Sequence, residues 1–104
     1  MMNILHDDET MSVTGIRELG ATNATTFRNE VYAALPLKPK AIEIDLSQTD
    51  FVDSCGLGAL ISVYKAAANR NGGVTMRLMN PTPSVQQLFE LTRMHRIFEI
   101  VRRP

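Results

Sequence analysis

The chain has 104 residues, 44% hydrophobic and 21% charged, with a formal net charge of zero. That length supports one packed core, so one domain over 1–104, and the balanced charge excludes a general attraction to nucleic acid or anionic membranes. One cysteine and two histidines exclude an internal disulfide and leave no metal-ligand spacing.

No apolar run approaches the roughly 20 residues of a membrane span. His6, Asp7, Asp8 and Glu9 follow close on Met1, so no secretory leader is expected and the reading is a cytoplasmic protein. Met1 to Leu5 is a candidate edge strand, and the polar stretch His6 to Thr10 a turn. Met11 to Leu19 is rich in β-formers and reads as one strand, in which Gly15 marks a bulge or a close contact. Thr22 or Asn23 then caps a helix whose apolar stripe is Phe27, Val31, Ala34 and Leu35. Pro36 and Pro39 stop it.

Ala41 to Leu46 alternates Ile42, Ile44 and Leu46 against Glu43 and Asp45, the clearest strand in the chain. A second amphipathic helix carries Leu57, Leu60, Ile61, Tyr64 and Ala68, and Asn71-Gly72-Gly73 is expected to close it through a left-handed glycine. Val74, Met76 and Leu78 form another strand. Thr82 is a cap with Pro83 at the first helical position, and Val85, Leu88, Phe89 and Thr92 make the next stripe. Ile97 to Val101 is a short strand or helical turn leading into the basic end Arg102-Arg103-Pro104. Strands alternating with helices predict an α/β layer structure, a mixed sheet of about four to five strands packed against helices.

The segment Asp53-Ser54-Cys55-Gly56-Leu57-Gly58 joins an apolar strand-like stretch to the second helix. Asp53 or Ser54 suits the N-cap, because a short side-chain oxygen can accept from the free N–H groups of the first turn. Ser54 therefore has two readings, a plain cap or an exposed phosphate acceptor. Asp53 likewise is either an acid favoured by the helix dipole or a group that orients the Ser54 hydroxyl or helps to take its proton during phosphoryl transfer. Cys55 is expected as a small side chain tucked against the sheet, the other reading being a redox-sensitive thiol at a helix terminus. Two glycines in one helical turn cost stability, so Gly56 and Gly58 point to packing or docking.

Asp53-Ser54-Cys55-Gly56-Leu57-Gly58, followed by a helix ending in Gly72-Gly73, resembles the signature of the STAS domain of bacterial anti-sigma-factor antagonists. The resemblance implies the STAS fold. It also implies that Ser54 is phosphorylated by a partner protein kinase, the anti-sigma factor, and reset by a serine phosphatase. By the same resemblance Asp53, Ser54, Cys55, Gly56, Leu57 and Gly58 form the partner-binding surface. This chain departs from the family pattern twice. Cys55 stands where Ser or Thr is usual, and Arg17-Glu18-Leu19-Gly20 replaces Gly-Glu-Leu-Asp, with Asn23 or Thr22 left to fill the role of the missing acid.

The implied function is anti-sigma-factor antagonist, regulating transcription by releasing a sigma factor. The alternative is a STAS accessory subunit bracing the ATPase of a lipid or anion transporter. No catalytic residue, cofactor, metal, direct nucleic-acid contact or membrane insertion is expected, because Gly56-Leu57-Gly58 lacks the remainder of any dinucleotide or P-loop fingerprint. Arg70, Arg93, Arg96, Arg102 and Arg103 read as a solvated basic face, the last pair being able to meet an acidic partner.

Overall fold

The computed structural model describes residues 2–103. Met1 of the expected edge strand and Pro104 of the basic end lie outside the described residues. The elements in order are β1 (Asn3–His6), β2 (Thr10–Thr14), β3 (Glu18–Leu19), α1 (Ala24–Ala34), β4 (Ala41–Asp45) and β5 (Phe51–Val52). They continue with α2 (Ser54–Arg70), β6 (Thr75–Met79), α3 (Pro83–Leu91), a 3₁₀ turn (Met94–Arg96) and β7 (Glu99–Val101).

Five strands make one mixed sheet in the order β1-β2-β4-β6-β7. Strand β1 runs antiparallel to β2, whereas the β2–β4, β4–β6 and β6–β7 pairs are parallel. Each parallel step needs a crossover, and α1, α2 and α3 supply them. Alternation within the strands sorts the two faces. Met11, Val13, Ile42, Ile44, Met76 and Leu78 are buried. Their neighbours Ser12, Glu43 and Arg77 form a half-buried row on the other face, where Arg77 pairs with Glu43 and Glu99 at 3.6 and 3.5 Å.

The expected strand Met11 to Leu19 is two strands. Gly15 adopts φ 77°, a conformation open to glycine at little steric cost, and the chain leaves the main sheet there. Strand β3 instead pairs in parallel with β5, Glu18 opposite Phe51 and Leu19 opposite Val52. The buried Thr49 fastens this small sheet to the large one. Its hydroxyl donates to the Ile16 carbonyl at 2.6 Å, and its own carbonyl accepts from the Thr82 hydroxyl at 3.1 Å. Thr82 thus stands at the N-cap of α3 without capping it through its side chain.

Helix α2 ends differently from expectation. Neither Gly72 nor Gly73 is left-handed. Asn71 makes the turn, its side chain donating to the Pro39 carbonyl at 2.9 Å and accepting from the Gly73 N–H at 3.2 Å. The buried stripe of α2 is Gly56, Leu57, Ala59, Leu60, Val63 and Ala67, with Ile61, Tyr64 and Ala68 only partly covered. Small residues in that stripe let neighbouring backbone approach, which an apolar count over large side chains overlooks. Arg70 is not a free surface cation: it donates to the Leu35 and Pro36 carbonyls at 2.7 and 3.1 Å and closes the end of α1. Thr92 is exposed, donating to the Leu88 carbonyl at 2.7 Å. Of the two forms expected over Ile97 to Val101, the strand occurs, as β7; a 3₁₀ turn precedes that stretch at Met94–Arg96, and Phe98 between them is buried against Tyr64, rings edge to face at 5.9 Å.

Candidate functional site

The small β3–β5 sheet places the start of α2 beside the β3–α1 loop. Asp53 is the N-cap residue of α2, and its carboxylate joins the two segments. Oδ1 accepts from the Gly56 N–H at 3.0 Å, and Oδ2 accepts from the Ala21 N–H at 3.0 Å, 32 residues away in sequence. These bonds, Gly56 first and Ala21 second, hold the Asp53 carboxyl below the usual carboxylate range, against a smaller opposing effect of desolvation. Both oxygens are thus committed to backbone, and among the described residues neither bonds the Ser54 hydroxyl.

Ser54 is the first residue of α2 and is exposed. Among the described residues its hydroxyl has no hydrogen-bond partner, so it stands open where the first-turn N–H groups concentrate partial positive charge. Helical phase then sorts the rest of the signature. Gly56 and Leu57 turn inward and are buried, whereas Ser54, Cys55 and Gly58 turn outward. Cys55 is exposed, which corrects the expectation of a thiol tucked against the sheet; the inward position goes to Gly56.

The two glycines have different physical reasons. A Cβ on Gly56 would stand 2.0 Å from the carbonyl oxygen of Leu19, because the first turn of α2 lies directly on β3. A Cβ on Gly58 would meet nothing within 4 Å. Close packing requires the first and leaves the second open.

Gly20 occupies the place of the missing family acid. Its Cα is covered by Asp53 and Phe51: a Cβ there would lie 2.8 Å from Asp53 Oδ2 and 2.9 Å from Phe51 Cε2. The side-chain space has been taken by the carboxylate that reaches Ala21. Asn23 is half-buried and turned back on its own loop, accepting from the Gly20 N–H at 2.9 Å and donating to the Glu18 carbonyl at 2.7 Å. It shapes the loop; its side-chain amide is engaged internally. Thr22 is exposed, with its hydroxyl 3.4 Å from Glu18 Oε1.

Sequence reasoning passed over Phe51, 52% exposed beside Asp53, and Arg28, which lines the cleft between α1 and α2 next to Cys55. A signal for Arg28 was present in its i, i+4 spacing from Tyr32, which puts both on one helix face. None existed for Phe51, whose position depends on a strand pair too short to show periodicity.

The family model of the STAS domain matches residues 1–103. The chain belongs to the STAS domain family. Solved structures agree in fold. The Bacillus anti-sigma factor antagonist SpoIIAA in its unphosphorylated form is 17% identical with a TM-score of 0.82, the match covering 100% of this STAS domain and 89% of SpoIIAA. In its phosphorylated form SpoIIAA is matched at 16% identity and TM-score 0.74, covering 100% and 92%. An anti-sigma factor antagonist from Mycobacterium paratuberculosis is 21% identical with a TM-score of 0.81, covering 96% of this chain and 83% of that protein. The murine anion transporter Slc26a9 is 23% identical with a TM-score of 0.69 over 84% of this chain and 14% of the transporter. At these identities the likeness is one of fold. Among the described residues no helix is long and apolar enough to cross a membrane, and no cluster of His, Cys, Asp and Glu could hold a metal ion.

Proposed function

We propose that this STAS domain is an anti-sigma-factor antagonist, switched by phosphorylation of Ser54. The observation that carries the reading is the exposed Ser54 hydroxyl at the N-terminus of α2, engaged by nothing else in the described chain. Its similarity to proteins named as anti-sigma factor antagonists, one of them solved in both phosphorylated and unphosphorylated forms, supports the role.

In the unphosphorylated state the surface around Ser54, Cys55 and Gly58 docks on a cytoplasmic serine kinase that is also the anti-sigma factor, freeing the sigma factor to direct transcription. In the transfer step the Ser54 oxygen forms a bond to the γ-phosphorus of ATP held by the kinase, the bond from that phosphorus to the bridging oxygen breaks, and ADP leaves. The hydroxyl proton passes to a base of the kinase, and Asp53, bonded to the Ala21 and Gly56 N–H groups, holds the loop and the helix start together. The new group carries about −1.5 to −2 charges at neutral pH. The helix terminus tolerates that charge, so the fold persists while the docking surface gains negative charge. A serine phosphatase restores the hydroxyl.

The test is incubation with the purified kinase and Mg·ATP, followed by mass analysis of the Ser54 peptide and binding measurements. One phosphate should appear on Ser54. Ser54→Ala should bind without accepting phosphate, and Ser54→Asp should lose binding; an unmodified Ser54 peptide refutes the proposal. A second reading, an accessory subunit beside a transporter ATPase, draws on the likeness to Slc26a9. It requires that Ser54→Asp bind its partner as the parent protein does.

A further inference from the structure

A groove of about 280 Å³ runs between the N-terminal halves of α1 and α2, next to Ser54. Ala24, Thr25 and Arg28 line one wall, and Cys55, Gly58 and Ser62 the other. Its single charge is Arg28, and no acidic residue lines it. The arginine has no anion of its own. Among the described residues it enters no ion pair, and its Nε is sealed from solvent without a hydrogen-bond acceptor. Arg70 is engaged with two helix-end carbonyls, Arg77 with Glu43 and Glu99, and Arg102 with Gln86; Arg17, Arg93 and Arg96 also lack an ion pair among the described residues, but none of them lines this groove.

Arg28 is nevertheless held in place. Its guanidinium carbon lies 6.0 Å from the centre of the Tyr32 ring. The Tyr32 hydroxyl donates to the Ser62 carbonyl at 3.2 Å, so the ring that carries the cation is tied to α2. A guanidinium resting on an aromatic ring still offers its planar fork of donors to a carboxylate. The sealed Nε lies out of a partner's reach, so the groups left to meet a carboxylate are the terminal Nη donors. Opposite Arg28 the floor at Gly58 is open for 4 Å, which lets another molecule's backbone descend to reach the cation.

We propose that this groove is the second half of the surface that docks the Ser54 kinase, and that Arg28 receives the carboxylate of an aspartate or glutamate of that kinase. The inference rests on the function proposed above and adds the chemistry by which the partner is chosen. The occupant is acidic because the groove presents one unpaired cation and nothing to repel an anion. Arg28 is a positioning residue: it selects and seats the kinase, while Ser54 alone reacts.

The experiment measures affinity of the full chain, unphosphorylated, for the purified kinase by calorimetry at two salt concentrations, alongside phosphate transfer at saturating chain. Arg28→Ala should weaken binding about tenfold or more and flatten its salt dependence, with the saturated transfer rate unchanged. Arg28→Gln, which keeps the stem and drops the charge, should lose as much. Arg28→Glu should be weaker still, and reversing the facing kinase acid to arginine should restore it. Wild-type affinity in Arg28→Ala and Arg28→Gln, with the parent chain still phosphorylated on Ser54, overturns the role of Arg28 and leaves the proposed function standing. Weakened binding with an unaltered salt dependence and no rescue also overturns it, since the side chain would then act by packing alone. A parent chain that neither binds nor accepts phosphate removes both.

Discussion

Gly56 faces the carbonyl of Leu19 so closely that a single methyl group would stand 2.0 Å from its oxygen. Backbone blocks the way there, so no side-chain rotation can relieve it. Gly56→Ala should therefore lower stability by about 3 kcal/mol, read as a fall in Tm of more than about 10 °C. Gly58→Ala, one helical half-turn on, meets nothing and should instead stabilise the free domain by about 0.5–1 kcal/mol. Thermal melts of the two variants side by side check both signs, and equal behaviour would contradict the packing described for α2.

Gly20 and Asp53 make a second close pair, with a different remedy. The atoms that a Cβ at Gly20 would strike are the carboxylate of Asp53, held by two backbone N–H groups, and the ring edge of Phe51, an exposed side chain that can turn. Gly20→Ala should cost about 1 kcal/mol, and part of that loss should vanish in a Phe51→Ala background. A double-mutant cycle by urea denaturation measures the coupling. Strict additivity would mean that the Phe51 ring does not crowd a side chain at position 20.

The Asp53 carboxyl titrates below its ordinary value because its charged form accepts from the Gly56 and Ala21 N–H groups. The unfolded chain then binds more protons than the folded one, so the stabilisation is complete above the unfolded aspartate value of about 3.9 and is lost as pH falls through the lower folded value. Asp53→Asn should be less stable than the parent near neutral pH, and the gap should narrow on acidification below about pH 4. Asp7, which accepts from the Glu9 and Thr10 N–H groups, is lowered as well and adds its own acid-dependent loss of stability to parent and variant alike. The difference between parent and variant denaturation midpoints across pH 2.5–6 (roughly the carboxylate range) therefore carries the test. A gap independent of pH would show that the carboxylate charge is immaterial to the two bonds.

Local pattern alone indicated the alternation of strands and helices, the inward faces of β4 and β6, and a cap at Asp53 or Ser54 at the head of α2, of which the structure takes Asp53. Those features depend on side chains within a turn or two of one another, and periodicity with capping chemistry reports such neighbours directly. Tertiary structure alone decided that Met11 to Leu19 breaks at Gly15, because a two-residue strand is held by its partner Phe51–Val52 and not by its own residues. It also decided that Cys55 faces out while Gly56 faces in against Leu19, that Asn71, bonded to the Pro39 carbonyl, and not a left-handed glycine closes α2, and that Asp53 reaches Ala21. Each of these rests on a contact between segments distant in the chain, most of them some 30 residues apart, and no local periodicity carries such information.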